Sequence, residues 1–174
     1  MNEAFSDLQV IGKFETDKEY LSFENSMKDD KNTIQGNVYV STIGTGTSNT
    51  EYEFLTGNSM AFLPIGSNAY TLYEKHTQPG FAMTLSDQNY GTTAFHPYYK
   101  ENWNRVNTYQ YMNFDRYIGM EDITNYQKLR NYISDEWDFQ HIIDLYEQRD
   151  TAKPFFMFNV TMQNHSPYNT GLLH

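Results

Sequence analysis

The 174-residue chain is 39% hydrophobic and 17% aromatic, enough for a packed core and unlike a disordered segment. Its net charge of -10 argues against a phosphate-backbone binder, yet a few Arg, His or metal centres can still hold a small anion locally. It has no cysteine, which excludes disulfides, thiolate nucleophiles and Cys-based zinc sites.

The opening Met1-Asn2-Glu3-Ala4 has no basic-then-apolar pattern of a signal peptide. The longest apolar runs, such as Phe155 to Phe158, are far shorter than the roughly 20 residues of a membrane helix. Any membrane anchor is therefore expected outside these residues. Met1 to Phe5 suits the end of a first strand. Lys18 to Lys31 reads as a helix, with Tyr20, Leu21, Phe23 and Met27 on a partial apolar face. Asn37 to Ser41 reads as a strand, followed by a glycine turn over 43–46 and a helix from Thr47 or Ser48 toward Leu55, stopped by Gly57. Phe81 to Gln88 is helical, Thr92 to Phe95 a strand, and Asn104 to Tyr111 helical. Ser134 caps the clearest helix, which runs to Arg149 with Trp137, His141 or Ile142, and Leu145 on one face. Pro154 to Thr161 is an apolar strand suited to burial in a parallel sheet. Alternating strands and helices give an α/β fold, in which functional residues gather after the carboxyl ends of strands.

Three constellations fall at such places. Gly44-Thr45-Gly46-Thr47-Ser48-Asn49-Thr50-Glu51 joins a glycine turn to a helix start, where free N–H groups and the helix dipole favour an anion. A hydroxyl there can attack a phosphorus or sulfur centre if a base or metal activates it; the same pattern also describes a turn whose Thr47 caps a helix. His96-Pro97-Tyr98-Tyr99-Lys100-Glu101-Asn102-Trp103-Asn104-Arg105 brings an imidazole, an indole and a guanidinium together after a strand, though a surface loop with a core Trp has the same composition. Asn164-His165-Ser166-Pro167-Tyr168 places a His after the next strand, as acid, phosphoryl binder or plain turn residue. His76, His141 and His174 stand in no motif, and Asp29-Asp30, Glu51 and Glu53 read as solvated charges.

Taken in order, these segments resemble the lipoteichoic acid synthase family of phosphoglycerol transferases, in the sulfatase/alkaline phosphatase superfamily. Met1 to Asp7 is similar to the segment whose glutamate binds metal. Gly46-Thr47-Ser48-Asn49-Thr50-Glu51-Tyr52-Glu53-Phe54 is similar to the nucleophile segment. Phe95-His96, Trp103-Asn104-Arg105 and Asn164-His165-Ser166-Pro167-Tyr168 are similar to the substrate-contacting motifs.

The resemblance implies a three-layer α/β/α sandwich around a mostly parallel sheet, present over residues 1–174 as part of a catalytic domain. It implies Thr47 as nucleophile, Glu3 and Thr47 as ligands of a divalent cation (Mn2+ first, Mg2+ or Zn2+ as alternatives), and His96, Trp103, Arg105 and His165 as substrate-binding residues. It further implies phosphatidylglycerol as donor, a glycerophosphate polymer or glycan acceptor, and an extracellular site at the cell membrane of a Gram-positive bacterium. Two departures stand out. The family's downstream Asp-His metal pair occurs nowhere in the sequence, and Thr45 stands where a glycine is expected, which leaves Thr45 and Ser48 as lesser nucleophile candidates. A phosphoethanolamine transferase, a sulfatase-like hydrolase and an inactive binding fragment are the alternatives; the sulfatase is disfavoured by the lack of a C/S-x-P-x-R segment.

Overall fold

Tertiary partners, more than local propensity, decide which expected elements form in the computed structural model, which describes residues 1–2, 4–44 and 46–168. The helices are α1 (Ser22–Ser26), α2 (Thr47–Thr56), α3 (Ala69–Leu72), α4 (Phe81–Ser86), α5 (Arg105–Tyr111) and α6 (Asp135–Glu147). The strands are β1 (Gly91–Phe95), β2 (Arg116–Ile118), β3 (Lys128–Leu129), β4 (Tyr132–Ile133) and β5 (Phe155–Asn159). The chain forms two compact units, one of Phe5–Tyr39 and one of Met1–Ala4 with the chain from Val40 onward.

Within Phe5–Tyr39 no residue is buried. Only Ser22–Ser26 of the expected 18–31 helix forms, and Phe23 stays 70% exposed. A helix without a buried face lacks the packing that stabilises short helices. The strand expected at Asn37 to Ser41 is absent, with Val38 and Tyr39 almost fully exposed. Its β-type composition has no neighbouring strand to pair with.

In the larger unit, β1 lies between β2 and β5, parallel to both, with Thr93 opposite Arg116 and Met157. Beyond β5, Met1 donates its N–H to the Asn159 carbonyl and accepts from the Thr161 N–H at 3.0 Å, the bonds of a parallel bridge. Of the expected first strand, Met1 makes the ladder bonds. β5 itself is mostly half-buried, as befits an edge position, and only Phe158 is buried in it.

Successive residues of a strand face opposite sides of the sheet. Ala94, Phe158 and Val160 pack with Tyr52 and Leu55 of α2, Tyr70 of α3 and Tyr109 of α5. Phe95 and Ile118 pack on the other side with Ile133, Trp137, Ile142 and Leu145. Helices thus cover both faces of a parallel sheet, the expected three-layer α/β/α arrangement. α6 starts where expected because the Ser134 side chain accepts the Trp137 N–H. α2 ends at Gly57, whose φ of 72° supplies the left-handed cap.

Candidate functional site

His96 directly follows β1, and His165 lies a few residues beyond β5, so the parallel strands bring two motifs 69 residues apart in sequence to the same edge of the sheet. Thr47 opens α2 behind Gly46, whose φ of 86° is unfavourable for any residue with a side chain. A Cβ on Gly46 would lie 3.4 Å from the Trp103 ring, so the indole closely approaches the turn before Thr47. Trp103 and Asn104 both adopt left-handed backbone, with φ of 57° and 60°, immediately before α5.

Thr47, His96, Trp103, Arg105 and His165 all line one cavity of about 380 Å3, together with Tyr98, Asn102 and Met162. The structure therefore assembles every described residue of the expected site around one space. Glu3 and Thr45 lie outside the described residues. A second cavity, of about 310 Å3, opens at the amino ends of β1 and β5 among Asp115, Arg116, Arg149 and Lys153, and contains none of the expected site residues.

Each site residue is held by a specific partner. His96 is 3% exposed, and its Nδ1 lies 2.8 Å from the Val160 carbonyl. A carbonyl only accepts, so Nδ1 carries the proton and Nε2 is left for a ligand. Burial, then the nearby Arg105 charge, pulls the His96 pKa down to about 4, so the ring is neutral at pH 7. His165 is half-buried, with Nδ1 2.6 Å from the Ser166 carbonyl and 3.3 Å from the Tyr132 hydroxyl. Arg130 holds the same loop by donating to the carbonyls of Gln163 and Pro167.

Arg105 is 2% exposed and pairs with Glu51, Nη2 to Oε1 at 2.5 Å and Nε to Oε2 at 3.3 Å. Tyr109 and Tyr70 donate to Glu51 Oε2 at 2.7 and 3.2 Å. Burial pushes the Glu51 carboxyl up, but the Arg105 guanidinium and these hydrogen bonds outweigh it and hold the pKa below its ordinary value.

This corrects the reading of Glu51 and Glu53 as solvated charges. Glu51 is fully buried, and Glu53 accepts from the backbone N–H groups of Ser41 and Met60 at 3.1 and 2.7 Å. Glu51 is the site residue that the sequence reading missed. Its signal was spacing: four residues after Thr47, it lies on the same face of α2. Ser48, a lesser nucleophile candidate, is fully buried and lines neither cavity at Thr47, and its Oγ accepts from Asn68 Nδ2 at 2.5 Å. His141 stacks on Trp137, with ring centroids 4.8 Å apart.

A second face of Thr47 meets a cavity of about 290 Å3 walled by Met1, Asn2, Ala4, Thr42, Gly44, Gly46 and Thr50. The described oxygen donors here are neutral hydroxyls and an amide. Among the described residues no group of three or more His, Cys, Asp or Glu side chains could hold a metal. The described residues alone therefore do not form a complete cation site.

Comparison with known proteins gives the family of the chain and relatives of its fold. A family model described as Sulfatase matches residues 20–172. The "Putative cyclic beta-1,2-glucan modification protein" of Rhizobium meliloti is 39% identical over 137 residues, which cover 78% of this chain and 21% of that protein. The lipoteichoic acid synthase of Staphylococcus saprophyticus is 30% identical over 125 residues, 68% of this chain and 18% of that protein. The solved structure of the Streptococcus pyogenes phosphoglycerol transferase in complex with sn-glycerol-1-phosphate shares the fold, with a TM-score of 0.62 over 75% of this chain and 35% of that one at 20% identity. The chain spans about a fifth of the length of these two curated relatives.

Proposed function

The chain belongs to the sulfatase family, and from that premise we propose that residues 1–174 form part of the catalytic domain of a phosphoglycerol transferase. It moves glycerophosphate from phosphatidylglycerol to an acceptor hydroxyl, outside the cell membrane. The observation that carries this reading is the convergence of Thr47, His96, Trp103, Arg105 and His165 on one cavity at the carboxyl ends of parallel strands.

In this reading the Thr47 hydroxyl attacks the donor phosphorus in line. The Thr47 proton is released to solvent as the new Oγ–P bond forms and the bond to diacylglycerol breaks, and the departing oxygen takes up a proton. Arg105 Nη1, with no protein partner among the described residues, donates to a phosphoryl oxygen. Neutral His96 accepts from a glycerol hydroxyl at Nε2, since it holds no proton there at neutral pH. In its imidazolium form His165, which lines the same cavity, gives the leaving oxygen its proton from Nε2–H while its Nδ1–H stays on the Ser166 carbonyl. Trp103 packs on the glycerol carbons. An acceptor hydroxyl then attacks the phosphorus on Thr47 and restores the threonine.

The proposal includes a divalent cation, Mn2+ first with Mg2+ and Zn2+ as alternatives, on Glu3 and Thr47 with further ligands from beyond the described residues. When bound it would make the Thr47 hydroxyl more acidic. Because the sequence has no Asp-His pair, residues 1–174 alone are expected to transfer little and to bind manganese weakly. The name of the Rhizobium relative refers to a cyclic glucan, which favours a glycan acceptor over a glycerophosphate polymer.

The test is diacylglycerol release from phosphatidylglycerol by the full-length protein. Thr47→Ala should lower the rate by about a thousandfold or more while leaving the fold intact. A near-normal rate in that variant removes Thr47 as nucleophile.

A further inference from the structure

Thr47 and Glu51 are four residues apart on α2, so one helix face carries both the proposed nucleophile and a fully buried carboxylate. That carboxylate spans the interior to Arg105 on α5, 54 residues later in sequence. Arg105 contributes to the wall of the cavity shared with Thr47. A free arginine side chain samples many rotamers and would dilute a single directed hydrogen bond among them. Here two of its donors, Nε and Nη2, are spent on Glu51 in a forked pair. Glu51 in turn cannot swing away, because Tyr109 and Tyr70 also donate to it from α5 and α3. Both tyrosine hydroxyls are pushed well above their ordinary range, first by burial and then by the Glu51 charge, so they remain donors at any working pH.

We infer that Glu51 is the positioning residue of the site: it fixes the Nε–Nη2 edge of Arg105 so that Nη1 is presented to the phosphoryl group bound next to Thr47. The inference rests on the phosphoglycerol reading above and names how that site is aligned. The carboxylate also cancels most of the guanidinium charge. Arg105 then acts through a directed hydrogen bond more than through long-range attraction. Residues from α2, α3 and α5 are thereby tied to one carboxylate.

The experiment measures equilibrium binding of sn-glycerol-1-phosphate by this protein, read from tryptophan emission. The chain has two tryptophans, so a Trp137→Phe background leaves Trp103, on the cavity wall, as the reporter. Glu51→Gln in that background replaces an acceptor of two Arg105 bonds with an amide whose N–H groups face other donors. It should weaken binding about tenfold to a hundredfold, as loss of a charge-assisted contact does. The Arg105 Nε–H signal, followed by nitrogen-proton NMR, should lose its slow exchange in the same variant. A merely structural role for Glu51 would leave affinity unchanged in every variant that melts cooperatively. If Glu51→Gln does not fold, Tyr109→Phe decides: it removes one donor to Glu51, keeps the ring, and should weaken binding about threefold. Wild-type binding with unchanged or tighter affinity in the deciding variant overturns the inference alone. A wild-type protein that does not bind the probe overturns the phosphoglycerol reading beneath it.

Discussion

Two regions of the same interior bury a glutamate and treat it in opposite ways. Below the cavity, Glu51 receives four hydrogen bonds from Arg105, Tyr70 and Tyr109, and its carboxyl is held below the ordinary range against its burial. Just after α3, Glu74 is equally inaccessible, yet neither of its oxygens has a partner among the described residues, and burial alone raises its pKa to about 7. Burial is common to both. The donors around them differ, and donors decide whether an interior carboxylate stays charged. Neither glutamate lines the cavity, but the charged one is paired with Arg105, which does.

The sharpest way to break this contrast is to make Glu51 resemble Glu74. Arg105→Met leaves an uncompensated carboxylate in the interior and should destabilise the protein by about 3–5 kcal/mol, measured by urea unfolding at pH 7. Pairing it with Glu51→Leu should restore most of that loss, because a buried ion pair replaced as a whole by apolar groups is often nearly neutral. If the single variant costs less than the double, the two side chains do not depend on each other.

The opposite manipulation relieves Glu74. Its folded pKa, about 7, lies above its ordinary value of 4.5. Between those values the native state holds more protons than the unfolded state, so this group lowers stability as pH rises through that window. Glu74→Gln removes the titration and should stabilise the protein by about 2 kcal/mol at pH 8, with the advantage fading by pH 4.5. His96 opposes this trend in the wild type, since its depressed pKa costs stability as pH falls from 6.5 toward 4. Asp138, raised to about 7 by burial, acts in the same direction as Glu74. Both remain in the variant and cancel in the difference, so the comparison at matched pH isolates Glu74.

How much of this was legible depended on where each residue finds its partners. α2 was readable because glycines bound it at 46 and 57, and α6 because Ser134 caps it. β5 was readable from its apolar run. β2 was not, being three residues that become a strand only through the edge of β1. Asn37 to Ser41 shows the converse, a strand-like composition with no ladder. The site followed the same rule. Thr47, His96, Trp103, Arg105 and His165, which line one cavity, were named from motifs that are weak singly and resemble a family only in their order. Glu51 looked like a surface charge because its partners lie 19, 54 and 58 residues away in sequence. Nothing within a helical turn announces them.

The smallest effect separates the two hydroxyls on Glu51. Tyr109 donates at 2.7 Å and Tyr70 at 3.2 Å, to the same Oε2. Both rings are almost fully buried and pack edge to face at 6.1 Å, so Phe in either place preserves the aromatic contact and removes only an oxygen. A net hydrogen bond to a buried charged group contributes about 1.5–3 kcal/mol when well made and less as it lengthens. Tyr70→Phe should therefore cost about 1 kcal/mol, and clearly less than Tyr109→Phe, in parallel urea titrations. Equal losses would mean that Glu51 is held by the number of its donors. The predicted order would mean that it is held mainly from α5, the helix that also carries Arg105, so that the carboxylate and the guanidinium it aligns move as one body.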